Sequence, residues 1–96
     1  MIIVTATITA KHGKRDEIII KSQDLIESTR LESGCNSYNL YASIEDEDKL
    51  LMLEQWDNLE VLESHMLTEH FKAYGAAIED IIARKLDITI YSSDKI

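Results

Sequence analysis

Residues 54–74, EQWDNLEVLESHMLTEHFKAY, are the most informative stretch of the chain. It begins as the end of a β-strand and continues as helix, and it holds the only Trp, the only Phe and two of the three His of the chain. A hydrophobic core explains part of this concentration of scarce aromatic and imidazole groups at one strand-to-helix junction. A ligand pocket beside the core explains more of it.

The strand that leads into this junction, Lys49–Trp56, alternates so that Glu54 and Trp56 share a face with two apolar residues. We expect this face to lie under the helices, because an apolar helical stripe that begins at Phe71 follows it closely. Glu54 would then point inward. Two interpretations stay open: a carboxylate near the sheet edge bonded to the backbone or a hairpin, and a polar group with a raised pKa inside a pocket.

Outward from the junction, strand and helix periodicities predict the order βαββαβ, with the second helix broken in two. The predicted strands cover residues 2–10, 36–43, 49–56 and 86–91, and the first helix covers 14–32. Gly34 stops that first helix. The spacing of Asp57 and Glu60 predicts a capping box for the helix that runs to about Met66, and Thr68 caps the helix after the break.

This order predicts a four-stranded antiparallel sheet with its helices on one face, as in ferredoxin-like α+β folds. The other face of the sheet would carry apolar side chains, for which water is a poor partner. They include Ile3, Leu51, Leu53 and Tyr41. Two copies packed sheet against sheet would bury them, so we expect a homodimer through this face.

The composition bounds the class of protein. Ninety-six residues make one domain, covering 1–96, and the net charge of -8 argues against nucleic acid and anionic membrane surfaces as partners. No stretch reaches the ~20 apolar residues of a membrane span, and the N-terminal residues are typical of a strand rather than a signal peptide. The single Cys35 cannot form an internal disulfide, which fits a reducing cytoplasm.

Two histidines lie on either side of the helix break. His65 borders an apolar stripe and is about as compatible with a boundary position as with a pocket. We expect His70 to point outward and to be more exposed than His65, and to be neutral because the positive end of its helix disfavours a bound proton. Their five-residue spacing differs from the i, i+4 relation of a zinc site, and we expect no third strong ligand nearby, so no metal site is predicted.

The aromatic residues complete a small pocket of mixed chemistry. Trp56, Phe71 and Tyr74 are by default core residues, and of the two tyrosines on opposite faces of the second strand we choose Tyr38 to face the helices. Cys35 has no His within its local motif and is by default inert. The chain has no glycine-rich phosphate loop, Ser-His-Asp signature or paired-Cys motif. Imidazole, phenol and carboxylate groups in one aromatic pocket suit a small, flat, weakly acidic organic molecule.

The stretch MLEQWDNLEVLESHMLTEHFKAY, preceded by LESGCNSYNLY, resembles the antibiotic biosynthesis monooxygenase superfamily, most closely its short bacterial quinol-monooxygenase branch. The resemblance covers nearly the whole chain. Its matches are the opening strand, the Glu-x-Gly-Cys turn at 32–35 followed by Tyr38, Glu54-x-Trp56, and the run from His65 to His70-Phe71. The combination is typical of the superfamily and less specific for one reaction, because the same scaffold serves several.

The resemblance implies a ferredoxin-like dimeric α+β barrel, in agreement with the sheet-face argument. Known members oxidise phenolic or quinol substrates with molecular oxygen and need no metal, flavin or haem. In that mechanism a pocket group removes a phenolic proton, and the electron-rich anion reduces oxygen. In a pocket between sheet and helices, we expect His65 and Glu54 to be catalytic. The substrate-binding walls would be Trp56, Tyr38, Tyr74 and Phe71.

Two departures from relatives narrow this interpretation. Haem-degrading relatives carry an Asn in the first strand and a His in the last helix, where this chain has Ala6 and Gly75, so haem degradation is disfavoured. Another branch of the superfamily isomerises a phosphorylated sugar and needs basic residues that bind the phosphate. In this chain Lys72 and Lys11 are the candidates for that role. A third alternative is a module that binds a small aromatic molecule without catalysis. The leading interpretation is a cytoplasmic homodimer that oxidises a quinol-like or polyphenolic molecule without cofactor or metal.

Overall fold

The computed structural model describes residues 1–96 as four strands and three helices in the predicted order βαββαβ, with the second helical segment split in two. The elements are β1 Ile2–Thr9, α1 Arg15–Arg30, β2 Cys35–Ala42, β3 Lys49–Trp56, α2 Leu59–Met66, α3 Glu69–Ile78 and β4 Asp87–Ser92. All neighbouring strands are antiparallel and stand in the order β2-β3-β1-β4. The predicted ferredoxin-like α+β class is confirmed. None of the helices combines the length and the apolar character that crossing a bilayer requires.

The core lies between the helices and one face of the sheet. Along β1 and β3 buried residues alternate with partly buried ones, as the two-residue period of a strand requires. On α1 the buried residues recur at helical spacing and are Ile18, Ser22, Leu25 and Thr29. The predicted inward face of β3 is confirmed, because its members are all buried: Leu50, Met52, Glu54 and Trp56.

The opposite face of the sheet is covered less completely. Ile3 of β1 and Leu51 and Leu53 of β3 are only partly buried, and Tyr41 of β2 is half exposed. Because β1 and β3 are the central strands, these side chains form an apolar band across the middle of the sheet. We call this band the outer sheet face.

The start of α2 differs from the prediction by one residue. Asn58, and not Asp57, is the N-cap, and its side-chain oxygen accepts a hydrogen bond from the Val61 N–H at 3.0 Å. The prediction of Asp57 as the cap was therefore wrong. The Asp57 carboxylate instead accepts a hydrogen bond from the Asn36 side-chain amide at 3.0 Å, which ties the strand end to β2.

The break between α2 and α3 is organised by Thr68, as predicted. Its hydroxyl oxygen accepts from the Phe71 N–H at 3.3 Å and its hydroxyl donates to the His65 carbonyl at 2.7 Å. Helix α3 ends at Ile78, before the predicted apolar stripe ends, and Ile81 is buried in the loop beyond it. The short, fixed break determines how residues on its two sides face each other.

Gly34 determines how closely the turn between α1 and β2 approaches α2. Its φ is +85°, and a Cβ at this position would lie 2.8 Å from side-chain atoms of Val61. The backbone N–H of Asp57 donates to the Gly34 carbonyl at 3.0 Å. The turn that carries Glu32 is therefore held directly against α2.

Candidate active site

A cavity of about 140 Å³ lies between the sheet and the helices. An apolar cavity of roughly 150 Å³ is large enough to admit benzene, so this one accommodates a single six-membered ring. The apolar walls are interrupted by four polar side chains, those of Tyr38, Glu54, His65 and Tyr74. On one side the lining residues Ile88 and Ile90 of β4 are about half exposed, at 51% and 46% of their surface. The cavity is therefore open along the β4 edge.

Glu32 joins the two histidines at one carboxylate oxygen. His65 Nδ1 and His70 Nε2 each lie 2.7 Å from Glu32 Oε2. An ionised carboxylate only accepts hydrogen bonds, so both ring nitrogens that face it carry hydrogen. In its neutral form His65 is then the Nδ1–H tautomer, whose Nε2 atom is left as a hydrogen-bond acceptor.

The free nitrogen of His65 belongs to a buried ring. The His65 side chain is 1% exposed, lines the cavity, and has no hydrogen-bond partner at Nε2. Burial lowers the pKa of His65, and this outweighs the opposing hydrogen bond and charge of Glu32. The imidazole is therefore held neutral with an unused acceptor.

Aromatic rings fix the plane of His65. The Trp56 ring lies with its centroid 4.7 Å away at a tilt of 38°, and Phe71 and Tyr38 pack edge-on with centroids at 5.1 and 5.5 Å. Contacts on several sides leave the ring little rotational freedom. The orientation that Glu32 selects is thus reinforced by packing.

Glu54 is a buried carboxyl beside this imidazole-bearing wall. It is 6% exposed and its Oε1 accepts a hydrogen bond from the Trp56 indole N–H at 3.0 Å. The pKa of Glu54 is raised to about 7, chiefly by burial and to a smaller extent by the charge of Glu32, against the Trp56 hydrogen bond, which lowers it. The structure therefore supports the interpretation of Glu54 as a pocket group with a raised pKa, rather than as a carboxylate bonded to the backbone near the sheet edge. At neutral pH this carboxyl is present in both its acid and its base form.

The two cavity tyrosines differ in what their hydroxyls can do. Ser22 donates its single hydroxyl hydrogen to the Ile18 carbonyl at 2.7 Å, so in the 2.8 Å contact with Tyr74 the phenol is the donor. Tyr38 has its backbone oxygen bonded by Arg30 at 3.1 Å, whereas its hydroxyl has no partner in the protein. Burial raises the pKa of Tyr38 far above its usual range, so its hydroxyl stays a donor for a ligand.

The structure places five of the six expected site residues on the cavity wall: Tyr38, Glu54, His65, Phe71 and Tyr74. Trp56 is the exception, because it is fully buried behind the wall, where it bonds Glu54 and packs on His65. Stacking of a ligand on its indole does not fit that position.

The expectations about His70 and a third ligand require correction. His70 is more exposed than His65, at 26% against 1%, but its ring turns toward Glu32 rather than outward. The expectation that no third strong ligand lies nearby was wrong, because Glu32, His65 and His70 converge. The Glu-x-Gly-Cys turn at 32–35 is visible in the sequence, but no local pattern gives Glu32 a role. The contacts span 33 and 38 residues, so only the spatial arrangement of the α1–β2 turn, α2 and α3 reveals them.

The cavity lining bears on the two alternative reactions of the superfamily, haem degradation and isomerisation of a sugar phosphate. Ala6 and Gly75 line the cavity, and neither has a side chain that could hold a haem iron. Neither Lys11 nor Lys72 lines it, and no other Lys or Arg does. The cavity thus lacks the cationic groups that a sugar phosphate requires.

A ferredoxin-like fold with an imidazole-bearing cavity between sheet and helices, open along the β4 edge, defines a class of small α+β proteins. Within that class the chain belongs to the antibiotic biosynthesis monooxygenase family, whose sequence profile matches residues 1–77.

Relatives and solved structures agree with this assignment. The protein sll1783 of Synechocystis sp. is 34% identical over 90 residues, which cover 94% of this chain but only 61% of that protein. "Probable quinol monooxygenase YgiN" of Escherichia coli is 27% identical over 99 residues, covering 92% of this chain and 95% of that protein. The crystal structure of a conserved protein from Methanosarcina mazei superposes with a TM-score of 0.92 at 31% identity, covering 97% of this chain and 92% of that one.

Proposed function

We propose that the protein is a cofactor-independent monooxygenase that oxidises a single-ring quinol, or a closely related phenol, with molecular oxygen. The observation that carries the proposal is His65, a buried imidazole bonded to Glu32 at Nδ1 and without a partner at Nε2, in the wall of the cavity. The name of the Escherichia coli relative supports a quinol as the substrate class. The cavity volume of about 140 Å³ favours one ring over a polycyclic polyphenol or a tetrapyrrole.

The first step is removal of a hydroxyl proton from the quinol. His65 Nε2 accepts this proton, and the charge of Glu32 stabilises the imidazolium that forms. Tyr38 donates its free hydroxyl to the oxygen that becomes anionic, which lowers the energy of the anion in an otherwise apolar cavity. An electron-rich anion of this kind transfers an electron to dioxygen, and the two radicals combine to a ring C–O bond.

The second step converts the peroxide into water. Glu54 in its acid form gives a proton to the distal peroxide oxygen. The ring C–H proton then passes to the Glu54 carboxylate while the O–O bond breaks, and His65 gives its proton to the departing hydroxide. The ring gains one oxygen and loses two hydrogens, the other oxygen leaves as water, and both side chains return to their starting forms. All four electrons come from the substrate, so no metal, flavin or haem is needed.

The assembly we propose is a homodimer through the outer sheet face. Ile3, Leu51, Leu53 and Tyr41 give this face an apolar band that sheet-on-sheet packing would remove from water. The cavity lies on the other side of the sheet, so such a dimer leaves both β4 edges open for substrate.

The test measures oxygen consumption with a panel of single-ring quinols for three proteins: wild type, His65→Gln, and His12→Ala as the control variant. His12 is a surface residue 83% exposed, so its replacement leaves the cavity intact. Wild type and His12→Ala should form a hydroxylated quinone that carries one atom from isotopically labelled dioxygen, and His65→Gln should form it about 10²–10⁴ more slowly. Saturable quinol binding with turnover equal in all three proteins would refute the enzyme and leave a binding module.

A further inference from the structure

The cluster of Glu32, His65 and His70 has the donor set of a metal site. One carboxylate oxygen and two ring nitrogens lie within 4.8 Å of one another, and they come from the turn after α1, from α2 and from α3. We propose that this cluster binds a transition-metal dication such as Zn²⁺, and that the bound ion inhibits the protein by changing the tautomer of His65. The binding site stands on geometry alone, whereas the inhibition rests on the proposed function.

The present distances are close to those of a three-ligand zinc site. Zinc takes nitrogen and carboxylate oxygen at about 2.0–2.2 Å in a tetrahedron, which places neighbouring ligand atoms roughly 3.3 Å apart. The two nitrogen–oxygen distances are now 2.7 Å, each held by a shared hydrogen. Insertion of the ion replaces those two hydrogens and separates the atoms by roughly half an ångström, with water as the fourth ligand.

The surroundings hold the ligands in place and leave a way in. Thr68 fixes the break that brings the two histidines to one side, and the aromatic rings of Trp56 and Phe71 hold His65. Side-chain exposure rises from 1% at His65 to 15% at Glu32 and 26% at His70, so the ion reaches the cluster from the His70 side. The net charge of -8 favours the approach of a cation.

The donor atoms also indicate which ions fit. Two imidazoles and one carboxylate suit Zn²⁺, Co²⁺ or Ni²⁺, whereas Mg²⁺ and Ca²⁺ prefer oxygen ligands. The other convergent cluster, His12 with Glu47 and Asp48, offers a single imidazole on the open surface, with His12 and Glu47 83% and 72% exposed. It makes a natural control for adventitious binding.

Metal binding would reverse the roles of the two His65 nitrogens. Without metal, Nδ1 carries the hydrogen that Glu32 accepts, and Nε2 is the free acceptor. A metal ion occupies the Nδ1 lone pair, so the hydrogen of the neutral ring moves to Nε2. That nitrogen can then donate but cannot accept the substrate proton, and the first step of the proposed reaction loses its base.

Titration calorimetry with zinc chloride, supported by the visible absorption of the Co²⁺ form, tests the site without reference to activity. Wild type and His12→Ala should bind one ion per chain, and His70→Ala and Glu32→Gln should each bind at least about ten-fold more weakly. Equal affinity in wild type and His70→Ala, or loss of binding in His12→Ala, would overturn the site.

The tautomer is read separately from nitrogen chemical shifts of the histidine rings. Hydrogen at Nδ1 of His65 in the metal-free protein and at Nε2 after zinc addition is the expected result, accompanied by loss of quinol oxidation. An unchanged tautomer, or full turnover with zinc bound, would refute the inhibition. If no quinol is oxidised even without metal, the proposed function fails, while calorimetry and the nitrogen shifts still decide the metal site.

Discussion

Replacing Glu54 by Gln should abolish a pH dependence of stability that the wild-type protein shows. Burial raises the pKa of Glu54 from 4.5 to about 7, so between these values the folded state keeps a proton that the unfolded state has lost. The contribution of Glu54 to stability is therefore fully present below pH 4.5 and is lost as the pH rises through about 7. At 1.36 kcal/mol per pKa unit the loss amounts to about 3 kcal/mol.

The assay is urea unfolding at one protein concentration from about pH 4 to about pH 8, since the free energy of unfolding of an associating protein depends on concentration. The difference between Glu54→Gln and wild type should grow by about 3 kcal/mol in favour of the variant over that range. Glu60→Gln makes the same chemical change at an exposed position of α2 and should run parallel to wild type. Parallel curves for Glu54→Gln as well would show that Glu54 does not hold a proton in the folded state.

Three further predictions follow from other parts of the structure. Leu53→Lys places an ammonium group in the outer sheet face and should weaken the free energy of dimerisation by on the order of 3 kcal/mol or more, measured by sedimentation. A wild-type protein that is monomeric at micromolar concentration would contradict the dimer. His65→Gln should lower quinol turnover by about 10²–10⁴, more than His70→Ala does, and the reverse order would show that the wrong imidazole was chosen. Gly34→Ala should destabilise the fold by about 2–4 kcal/mol in urea unfolding, from a left-handed backbone and a 2.8 Å contact. Gly13 has a φ of +80°, and a Cβ added there meets no atom within 4 Å, so Gly13→Ala should lose only the stability that the left-handed backbone costs. An equal loss of stability in Gly34→Ala and Gly13→Ala would show that the contact with Val61 contributes nothing.

The strands were predictable because their signal is local. The two-residue alternation of β3 gave its bounds, Lys49–Trp56, and the inward direction of Glu54. The N-cap was missed by one position because Asp57 and Asn58 are both good caps, and the pairing of Asp57 with Asn36 decides between them.

Most residues that line the candidate site could be predicted from the sequence, but the contacts between them could not. The family resemblance placed His65 and Tyr38 in the pocket, yet no local pattern indicates that Glu32 accepts from both histidines. Trp56 shows the same limit: its face was predicted, but whether a ring lines a cavity or lies behind it depends on tertiary packing. Contacts across more than thirty residues follow from how helices dock, and spacing alone does not encode them.

The half-exposed inner face of β4 determines how a ligand can exchange. Ile88 and Ile90 belong to an edge strand, and Met66, which also lines the cavity, is 36% exposed, so the exposed part of the lining consists of flexible apolar side chains. Rotamer changes of exposed side chains occur within picoseconds to nanoseconds, far faster than the microseconds or more of a helix movement. Exchange therefore needs no gate made of backbone. Substitutions at these rim positions can alter which ring substituents are admitted while the bond between Glu32 and His65 stays as it is.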